Sequence, residues 1–439
     1  MSKTKPNQSV IASPMGEAIL APAGRLLRRE KHPPRNDEIV LCPMLVTRLN
    51  RLASLVFLLI LAACSQISTG GVSSPDLTAA APTLSESTRT PKPPVSPSPV
   101  PTATQTYKQA IYPYTIEGLR QHDYQSGEVT VLGVIEETKD FTSYLIEYPS
   151  DGLNIRGVMQ IPTRGEPPYP VIVMNHGWFS RTTYRSGDGT TRAAEYLNIH
   201  GYLTLSSDYR SWGTSDMGPS IFYSGLAVDV VNLLFAIPSI PQADASRVGL
   251  WGHSMGGAVT MKVLTILGDN PSVGAGSPRP TGSSRPVVRA AVLYSTVSAD
   301  QADVLERWGL GCYGDVLDGE FRTDCNSSDV VPLDLPVELL NAYFHVADNA
   351  EMLKSVSPIH HLDLVDAPVQ IHYGEWDGEE LSGTPPKWSI KLFEALQEAG
   401  KPVKLIEYKE QRHSFINEAW YQFMETVVKF FDANVKNAP

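Results

Sequence analysis

Short apolar strands alternate with amphipathic helices over about the last two thirds of the 439-residue chain. The strands include PVIVMNHG (170–177) and RVGLWG (247–252), and the helices include TRAAEYLNIHG (191–201) and KWSIKLFEALQEAG (387–400). Apolar residues recur with helical spacing in the helices, whereas each strand is a short continuous apolar run. Because a helix between two strands returns the chain to the same end of a sheet, this order predicts an α/β fold. We expect a mostly parallel central sheet with helices on both faces.

The first 63 residues have the pattern of a leader. A basic start precedes an apolar run (52–63) that is too short for a membrane span and is typical of a signal-peptide core. The run ends in LAAC, which resembles the bacterial lipobox. We therefore expect lipidation of Cys64 and an extracytoplasmic protein anchored to the bacterial cell membrane; an uncleaved anchor is the alternative. Residues 1–43 are interpreted as an over-extended gene start and 44–63 as the lipoprotein signal peptide.

A linker follows the expected anchor cysteine. Residues 65–106 are rich in Ser, Thr and Pro and contain no aromatic residue. Such a composition cannot bury enough apolar surface to fold, so it predicts a semi-stiff spacer. The predicted organisation is therefore a leader (1–63), an anchor cysteine with its linker (64–106) and one globular domain (107–439).

The net charge and the motifs of the chain argue against several classes of function. The chain carries a net charge of −11, and nucleic-acid binding proteins usually present a basic face instead. No glycine-rich phosphate-binding motif follows a predicted strand, and no HExxH zinc motif occurs. We therefore expect no nucleic-acid partner, no metal and no organic cofactor.

One serine lies in a motif that is typical of catalytic nucleophiles. GHSMG (252–256) matches G-x-S-x-G between a predicted strand and a predicted helix. In that motif the serine occupies a sharp strand-to-helix turn, and the glycines leave room for the neighbouring backbone. The helix N-terminus behind Ser254 favours negative charge. We predict that Ser254 is a nucleophile; a glycine-rich turn with an incidental serine is the alternative.

A nucleophilic serine needs a general base and a group that orients the base. With G-x-S-x-G these partners follow the serine in the order acid, histidine. Asp377 follows the predicted strand 368–374, and His413 follows the predicted strand 402–410. Both therefore come at strand C-termini, where side chains converge. We predict Asp377 as the acid and His413 as the base.

Other histidines and carboxylates are weaker candidates. Glu375 precedes Asp377 by two residues, and His372 lies inside a predicted strand, where core packing is the simpler interpretation. The remaining residues lie beside the serine, at a helix end or before a strand: His200, His253, His360, His361, Asp363 and Asp366.

An acyl-transfer site also needs about two N–H donors for the oxyanion. We predict the backbone N–H of Met255, which follows the serine, and that of Trp178, which follows the strand 170–177. A loop whose aromatic residues only pack is the alternative. Three aromatic residues are candidates for lining the substrate pocket: Phe179, Trp212 and Trp376.

A long insertion interrupts the alternation at about residues 299–357. It follows the C-terminal end of a predicted strand, the edge at which such sheets bind ligands. We interpret it as a cap over the site, with a structural excursion as the alternative. It contains Cys312 and Cys325, which we expect to form a disulfide in an exported protein. Free thiols are the alternative; metal binding is not expected, because no second Cys/His pair with the spacing of metal ligands lies nearby.

The stretch from about Tyr144 to Val427 resembles the α/β-hydrolase superfamily, in particular prolyl-oligopeptidase-type (S9) catalytic domains and dienelactone-hydrolase-like esterases. The resemblance rests on VIVMNHGW, SSDYRSWGTSD, GLWGHSMGG, SPIHHLDLVDAPVQIHYGEWD and KPVKLIEYKEQRHSF, in family order. It implies an α/β-hydrolase fold and the same roles for the residues predicted above. Ser211 departs from the pattern, since this branch usually has glycine there. The spacer is also too short to form the β-propeller of true prolyl oligopeptidases.

The expected function is that of a serine hydrolase. Its substrate would be a small-molecule ester or a short peptide, cleaved at a carboxylic ester or amide bond through an acyl-enzyme intermediate. The alternative is a catalytically inactive binding lipoprotein on the cell surface, built on a hydrolase scaffold.

Overall fold

The computed structural model describes residues 103–124, 127–268, 286–309 and 337–437. Its strands in chain order are β1 (Thr130–Glu137), β2 (Phe141–Ser150), β3 (Leu153–Pro162), β4 (Tyr169–Asn175), β5 (Leu203–Ser207), β6 (Ala243–His253), β7 (Val288–Tyr294), β8 (Val369–Gly374) and β9 (Val403–Tyr408). These nine strands of the described residues form one sheet in the order β1-β2-β3-β5-β4-β6-β7-β8-β9.

The sheet has an antiparallel end and a parallel end. From β1 to β5 neighbouring strands are antiparallel, and from β5 to β9 they are parallel. The hairpin of β2 and β3 has a two-residue turn, Asp151-Gly152, with φ of 53° and 78°. An Asp-Gly pair suits such a turn because both central residues need positive φ. The parallel part is the one that the alternation of strands and helices predicted.

Helices cover both faces of the sheet. In chain order they are α1 (Ala103–Ile111), α2 (Ile116–Arg120), α3 (Thr191–Ile199), α4 (Ser224–Ala236), α5 (Met255–Leu267), α6 (Gln301–Trp308), α7 (Val337–Ala347), α8 (Ala350–Val356), α9 (Pro386–Glu398) and α10 (Asn417–Phe431). Side chains of α4, α5 and α9 share one buried cluster with the sheet, and those of α3 and α10 share another.

The central strand β4 shows how the two clusters are divided. All seven of its residues are buried. Val171 and Val173 belong to the cluster of α4 and α5, whereas Ile172 and Met174 belong to the cluster of α3 and α10. Successive side chains of a strand point to opposite faces, so a strand covered on both faces is a continuous apolar run. The predicted α/β fold with helices on both faces is confirmed.

The N-terminal part of the domain contains elements that the sequence did not predict. All eight residues of β1 are exposed, so the strand lacks the alternating pattern that reveals a half-buried strand. Helix α2 ends at Arg120, whose Nη1 donates to the carbonyl oxygens of Thr265 (2.8 Å) and Gly268 (2.7 Å). These carbonyls end α5, so Arg120 caps the helix that follows Ser254.

The predicted insertion at about 299–357 contributes α6, α7 and α8. Residues of α7 and α8 pack with Ile111 and Phe222 in a third buried cluster. The predicted disulfide between Cys312 and Cys325 lies outside the described residues, as do Cys64, the leader and most of the linker. Within the described ranges, no helix has the length and apolar content of a membrane span.

Candidate active site

Ser254 lies at the turn between β6 and α5, with φ of 56° and ψ of −120°. This backbone conformation is costly for a residue with a Cβ and persists only where the surroundings hold it. Here the N–H of Ser254 donates to the carbonyl of Tyr294 at 3.0 Å. Its carbonyl accepts from the N–H groups of Gly257 at 2.9 Å and Val297 at 3.0 Å. The turn is therefore fixed by the end of β7 and the first turn of α5.

The glycines around the serine allow backbone to approach backbone. A Cβ on Gly252 would lie 2.3 Å from the carbonyl oxygen of Gly256, and a Cβ on Gly256 would lie 1.9 Å from that of Asn175. A Cβ on Gly177 would lie 3.1 Å from the Cβ of Ser254. No side chain fits at Gly252 or Gly256 without displacing the chain, which explains the spacing of the motif.

His413 and Asp377 meet at the C-terminal edge of the sheet. Asp377 follows β8, and His413 lies in the loop between β9 and α10. Nδ1 of His413 is 3.1 Å from Oδ1 and 3.2 Å from Oδ2 of Asp377. An ionised carboxylate can only accept, so Nδ1–H donates and Nε2 is left as the basic nitrogen. Burial opposes ionisation of Asp377, but hydrogen bonds from His413 and Thr384 outweigh it and lower the pKa of its carboxyl.

His253 connects the His413 loop to the serine turn. Its Nε2–H donates to the carbonyl oxygen of His413 at 3.2 Å, and the two rings lie 4.9 Å apart. Its ring also stacks on that of Tyr294, with the ring centroids 4.3 Å apart. Burial, with a smaller contribution from His413, lowers the pKa of His253 to about 3. His253 is thus neutral near pH 7 and too weakly basic to act as the base, but it holds the His413 loop against the residue that precedes Ser254.

The predicted oxyanion donors lie on two segments that flank the serine. Met255 is the first residue of α5, and an N–H in the first turn of a helix has no acceptor within that helix. Trp178 follows Gly177, whose backbone lies against Ser254. Donation from these two N–H groups to an oxyanion stays a prediction.

A buried polar group supports the loop before Trp178. His176 is fully buried, with Nδ1 2.6 Å from the carbonyl oxygen of Gly177 and Nε2 3.2 Å from that of Asp208. Burial lowers the pKa of His176 to about 4, so its neutral ring has one N–H for the two carbonyls. Burial also raises the pKa of Asp208 to about 6, although the hydroxyl of Tyr184 donates to its carboxylate at 2.9 Å.

The three aromatic candidates for the pocket differ in exposure. Trp376 is 40% exposed beside Asp377, and Phe179 is partly buried. Trp212 has no exposed surface, and its Nε1–H donates to the carbonyl of Phe179 at 3.0 Å. The prediction for Trp212 is therefore wrong: it packs beneath the loop because its indole N–H finds an acceptor there.

Ser211, which stands where the resembled branch usually has glycine, keeps the backbone conformation typical of glycine. Its φ is 70°, in the left-handed region that favours glycine. Its hydroxyl oxygen accepts from the N–H of Gly218 at 3.1 Å. This hydrogen bond helps a residue with a Cβ to stay in that conformation.

The other candidate histidines and carboxylates are hydrogen-bonded to other groups or lie away from Asp377. Glu375 accepts from Lys409 at 3.2 Å and from the N–H of Glu410 at 3.0 Å. His372 is buried with Nε2 3.0 Å from Gln370, and burial lowers its pKa to about 3. His360 and His361 lie before β8, at the edge of the sheet opposite to Asp377. Among the described residues, no cluster of His, Cys, Asp and Glu could hold a metal ion.

Sequence reasoning missed three residues of the site. Thr384 contacts the carboxylate of Asp377, Tyr294 accepts from the N–H of Ser254 through its carbonyl oxygen, and His253 binds the His413 loop. None of the three belongs to a recognisable pattern except His253, which lies inside the G-x-S-x-G motif.

The strand order, the helices on both faces and the serine turn after β6 define the α/β-hydrolase fold. No protein-family model matches the chain. Over 99 residues the chain is 33% identical to lysophosphatidylserine lipase ABHD12 of Xenopus tropicalis and 30% identical to that of Gallus gallus. Each match covers 23% of this chain and 24% of the relative. The matched segment thus spans about a quarter of the length of these relatives.

Solved structures of similar fold include esterases and peptidases. Acetyl xylan esterase 1 from a Thermoanaerobacterium species has a TM-score of 0.46 and 14% identity, over 74% of this chain and 93% of that one. Pyrococcus horikoshii acylaminoacyl peptidase has a TM-score of 0.48 and 18% identity, over 69% of this chain and 43% of that one. An esterase and a peptidase are thus both among the structures to which this chain is similar. The α/β-hydrolase fold predicted from the motifs is confirmed by the strand order and by the serine turn after β6.

Proposed function

We propose that the protein is a serine hydrolase that cleaves carboxylic ester or peptide bonds. Ser254 is the nucleophile, His413 the general base and Asp377 the acid that orients it. The observation that carries the proposal is the hydrogen bond from Nδ1–H of His413 to Asp377, in a loop that His253 binds to the serine turn. A bonded Nδ1–H gives the imidazole the tautomer that a base needs.

The reaction follows from these roles. Nε2 of His413 takes the hydroxyl proton of Ser254 while Oγ bonds to the carbonyl carbon of the substrate, and the carbonyl oxygen becomes an oxyanion. His413 then gives the proton to the leaving alcohol or amine, and the bond to it breaks. Water attacks the acyl-enzyme with loss of a proton to His413, which returns the proton to Oγ as the acid product leaves.

The oxyanion is stabilised by backbone dipoles in this proposal. The N–H groups of Met255 and Trp178 donate to it from two different segments, and the N-terminus of α5 adds a positive potential. These groups are oriented before the reaction, so little reorganisation is needed when charge develops.

The substrate carries an apolar group next to the scissile carbonyl. Four large apolar side chains are exposed on loops near the proposed triad: Trp178, Trp376, Leu381 and Ile416. Both an acylated alcohol and a short peptide meet this description. The ABHD12 relatives are named as lysophosphatidylserine lipases, so a lysophospholipid ester is one candidate within the ester class.

A panel of substrates tests the proposal. Rates on p-nitrophenyl esters of rising acyl length, on lysophospholipids and on aminoacyl and prolyl amides are measured for the wild type and Ser254→Ala. We expect turnover of at least one class and a loss of at least about 10³-fold in the variant. Fast amide cleavage indicates a peptidase, and activity confined to esters indicates an esterase. Turnover of no class favours the inactive binding lipoprotein, and equal rates for both proteins would show that Ser254 is not the nucleophile.

We propose an extracytoplasmic location with a lipid on Cys64. The basic start, short apolar run and LAAC sequence support it. In a bacterial host, Cys64→Ser should abolish incorporation of labelled fatty acid and move the protein out of the membrane fraction. Labelling that persists in the variant would rule out this anchor.

A further inference from the structure

Thr384 holds both oxygens of one carboxylate. Its backbone N–H donates to Oδ1 of Asp377 at 2.8 Å, and its hydroxyl lies 2.7 Å from Oδ2. Thr384 is 2% exposed and Asp377 is 3% exposed. Two donors from one residue, on opposite oxygens, fix the plane of the carboxylate as well as its position.

The hydroxyl of Thr384 has one proton and three polar neighbours. Oδ2 of Asp377 lies at 2.7 Å, the carbonyl oxygen of Ser295 at 2.9 Å and Nδ1 of His413 at 3.4 Å. Since Nδ1–H of His413 is itself a donor, the proton goes to one of the two acceptors. The carboxylate is the nearer acceptor and bears the charge, which makes its hydrogen bond the stronger one.

The loop from Asp377 to Thr384 is folded tightly around the carboxylate. A Cβ on Gly383 would lie 2.6 Å from Oδ1 of Asp377. Helix α6 holds the loop from outside: Nη2 of Arg307 donates to the carbonyl oxygen of Glu380 at 2.7 Å, and Nε1–H of Trp308 donates to that of Leu381 at 2.8 Å. The loop that leads to Thr384 is thus held at Glu380 and Leu381 by contacts that do not involve the triad.

We propose that Thr384 is a positioning residue for the hydrolytic reaction, acting through the carboxylate of Asp377 on the orientation of His413. This inference rests on the proposed serine hydrolase function. Without the hydroxyl, the carboxylate keeps the N–H of Thr384 on Oδ1 but loses its donor on Oδ2. It can then rotate about its Cβ–Cγ bond, and His413, bonded to both oxygens, rotates with it.

The test compares three variants of the full chain with the wild type. Thr384→Val removes the hydroxyl and keeps the shape, and Thr384→Ser keeps the hydroxyl. The matched control is Thr265→Val, at a buried threonine of α5 whose hydroxyl donates to the carbonyl of Lys262 at 2.8 Å. Each protein is assayed for kcat and KM on the best substrate, with circular dichroism and the thermal midpoint as folding controls.

We expect Thr384→Val to lower kcat by about 10- to 100-fold, the size expected for the loss of a hydrogen bond to a charged group. KM should stay within about twofold, because the hydroxyl acts on the chemical step through Asp377 and does not bind the substrate. Thr384→Ser should stay within about threefold of the wild type, and Thr265→Val should match it. If Thr384→Val does not fold, Thr384→Ala gives the same comparison, because it removes the hydroxyl without adding a methyl group.

Other outcomes overturn the inference. A kcat near the wild type in Thr384→Val shows that the hydroxyl does not act on the reaction, and a Thr384→Ser variant as impaired as Thr384→Val shows that the hydroxyl is not the cause. In both cases the wild type still hydrolyses its substrate and Ser254→Ala does not, so the proposed function stands. A wild type that hydrolyses nothing overturns the function itself and this inference with it.

Discussion

The side chain of His253 donates to the main chain of His413: Nε2 lies 3.2 Å from the carbonyl oxygen, and the two ring centroids are 4.9 Å apart. His253 is therefore a direct connection between the turn that carries Ser254 and the loop that carries the proposed base. The connection is made by a neutral ring, since the pKa of His253 is lowered to about 3, chiefly by burial.

Replacing His253 should impair the reaction more than the fold. His253→Phe keeps the ring against Tyr294 but removes the donor to His413. We expect kcat to fall about five- to tenfold, as for the loss of one neutral hydrogen bond. His200→Gln, at the C-terminal end of α3, is the control and should leave kcat unchanged. Steady-state kinetics give the answer, and an unaltered kcat in His253→Phe would show that the connection has no role in catalysis.

The contribution of Asp208 to stability should fall as the pH rises from about 4 to 6. Burial raises the pKa of this carboxyl from 3.8 to about 6. The folded state then holds the proton more tightly than the unfolded chain. Stability from this group is greatest below the unfolded pKa, is lost as the pH rises through the folded pKa, and is constant above it. The loss is about 3 kcal/mol in the free energy of unfolding.

Asp208→Asn tests this dependence by urea denaturation at several pH values. We expect the stability of the variant relative to the wild type to rise by about 3 kcal/mol over that pH range, because its side chain does not titrate and the other titrating groups are shared by both proteins. Asp348→Asn, at an exposed position, should follow the wild type. Parallel curves for the wild type and Asp208→Asn would contradict the raised pKa.

Gly256 should not tolerate a side chain. A Cβ there would lie 1.9 Å from the carbonyl oxygen of Asn175, so Gly256→Ala must separate α5 from the end of β4. We expect a loss of more than about 2 kcal/mol in the free energy of unfolding, with loss of activity. Gly133→Ala in β1 is the matched control, because its Cβ would meet nothing within 4 Å. Equal stabilities of the two variants in chemical denaturation would refute the close contact.

The buried ion pair between Arg210 and Asp229 should be a large contributor to stability. Nη2 of Arg210 lies 2.8 Å from Oδ1 of Asp229, and the two side chains are 5% and 0% exposed. Arg210→Met leaves a buried carboxylate without its cation, so we expect a loss of about 3–5 kcal/mol.

The exposed pair of Lys354 and Glu351, at 2.7 Å, provides the comparison for Arg210→Met. Lys354→Met should cost less than about 1 kcal/mol, because exposed pairs are screened by water. Urea denaturation of both variants measures the difference. If Arg210→Met lowers the free energy of unfolding no more than Lys354→Met does, the buried ion pair is not a large contributor to stability.

The features that the sequence predicted are those with local causes. The glycines around Ser254 are required by backbone contacts within a few residues of the motif and at the end of β4, so a short pattern reveals them. The parallel strands are buried on both faces and therefore appear as continuous apolar runs. The proximity of Asp377 and His413 follows from their strands, since parallel strands end at one edge.

The features that the sequence did not predict depend on partners far along the chain. Strand β1 is exposed on every residue, so it has no alternating pattern, and α1 is a short helix that packs against α7 of the distant insertion. Trp212 could not be distinguished from a pocket residue without knowing that its indole finds the carbonyl of Phe179. Thr384 is one threonine in a loop, and only the folded loop brings it to Asp377.

The central claim is that Ser254 is a nucleophile activated by His413 and Asp377. Its most direct test is the mass spectrum of the full chain after reaction with a fluorophosphonate, followed by peptide mapping. We predict one adduct, on the peptide that contains Ser254, formed at least about 10³-fold more slowly in His413→Ala and absent in Ser254→Ala. An adduct on another residue, or equal labelling of wild type and Ser254→Ala, would contradict the account.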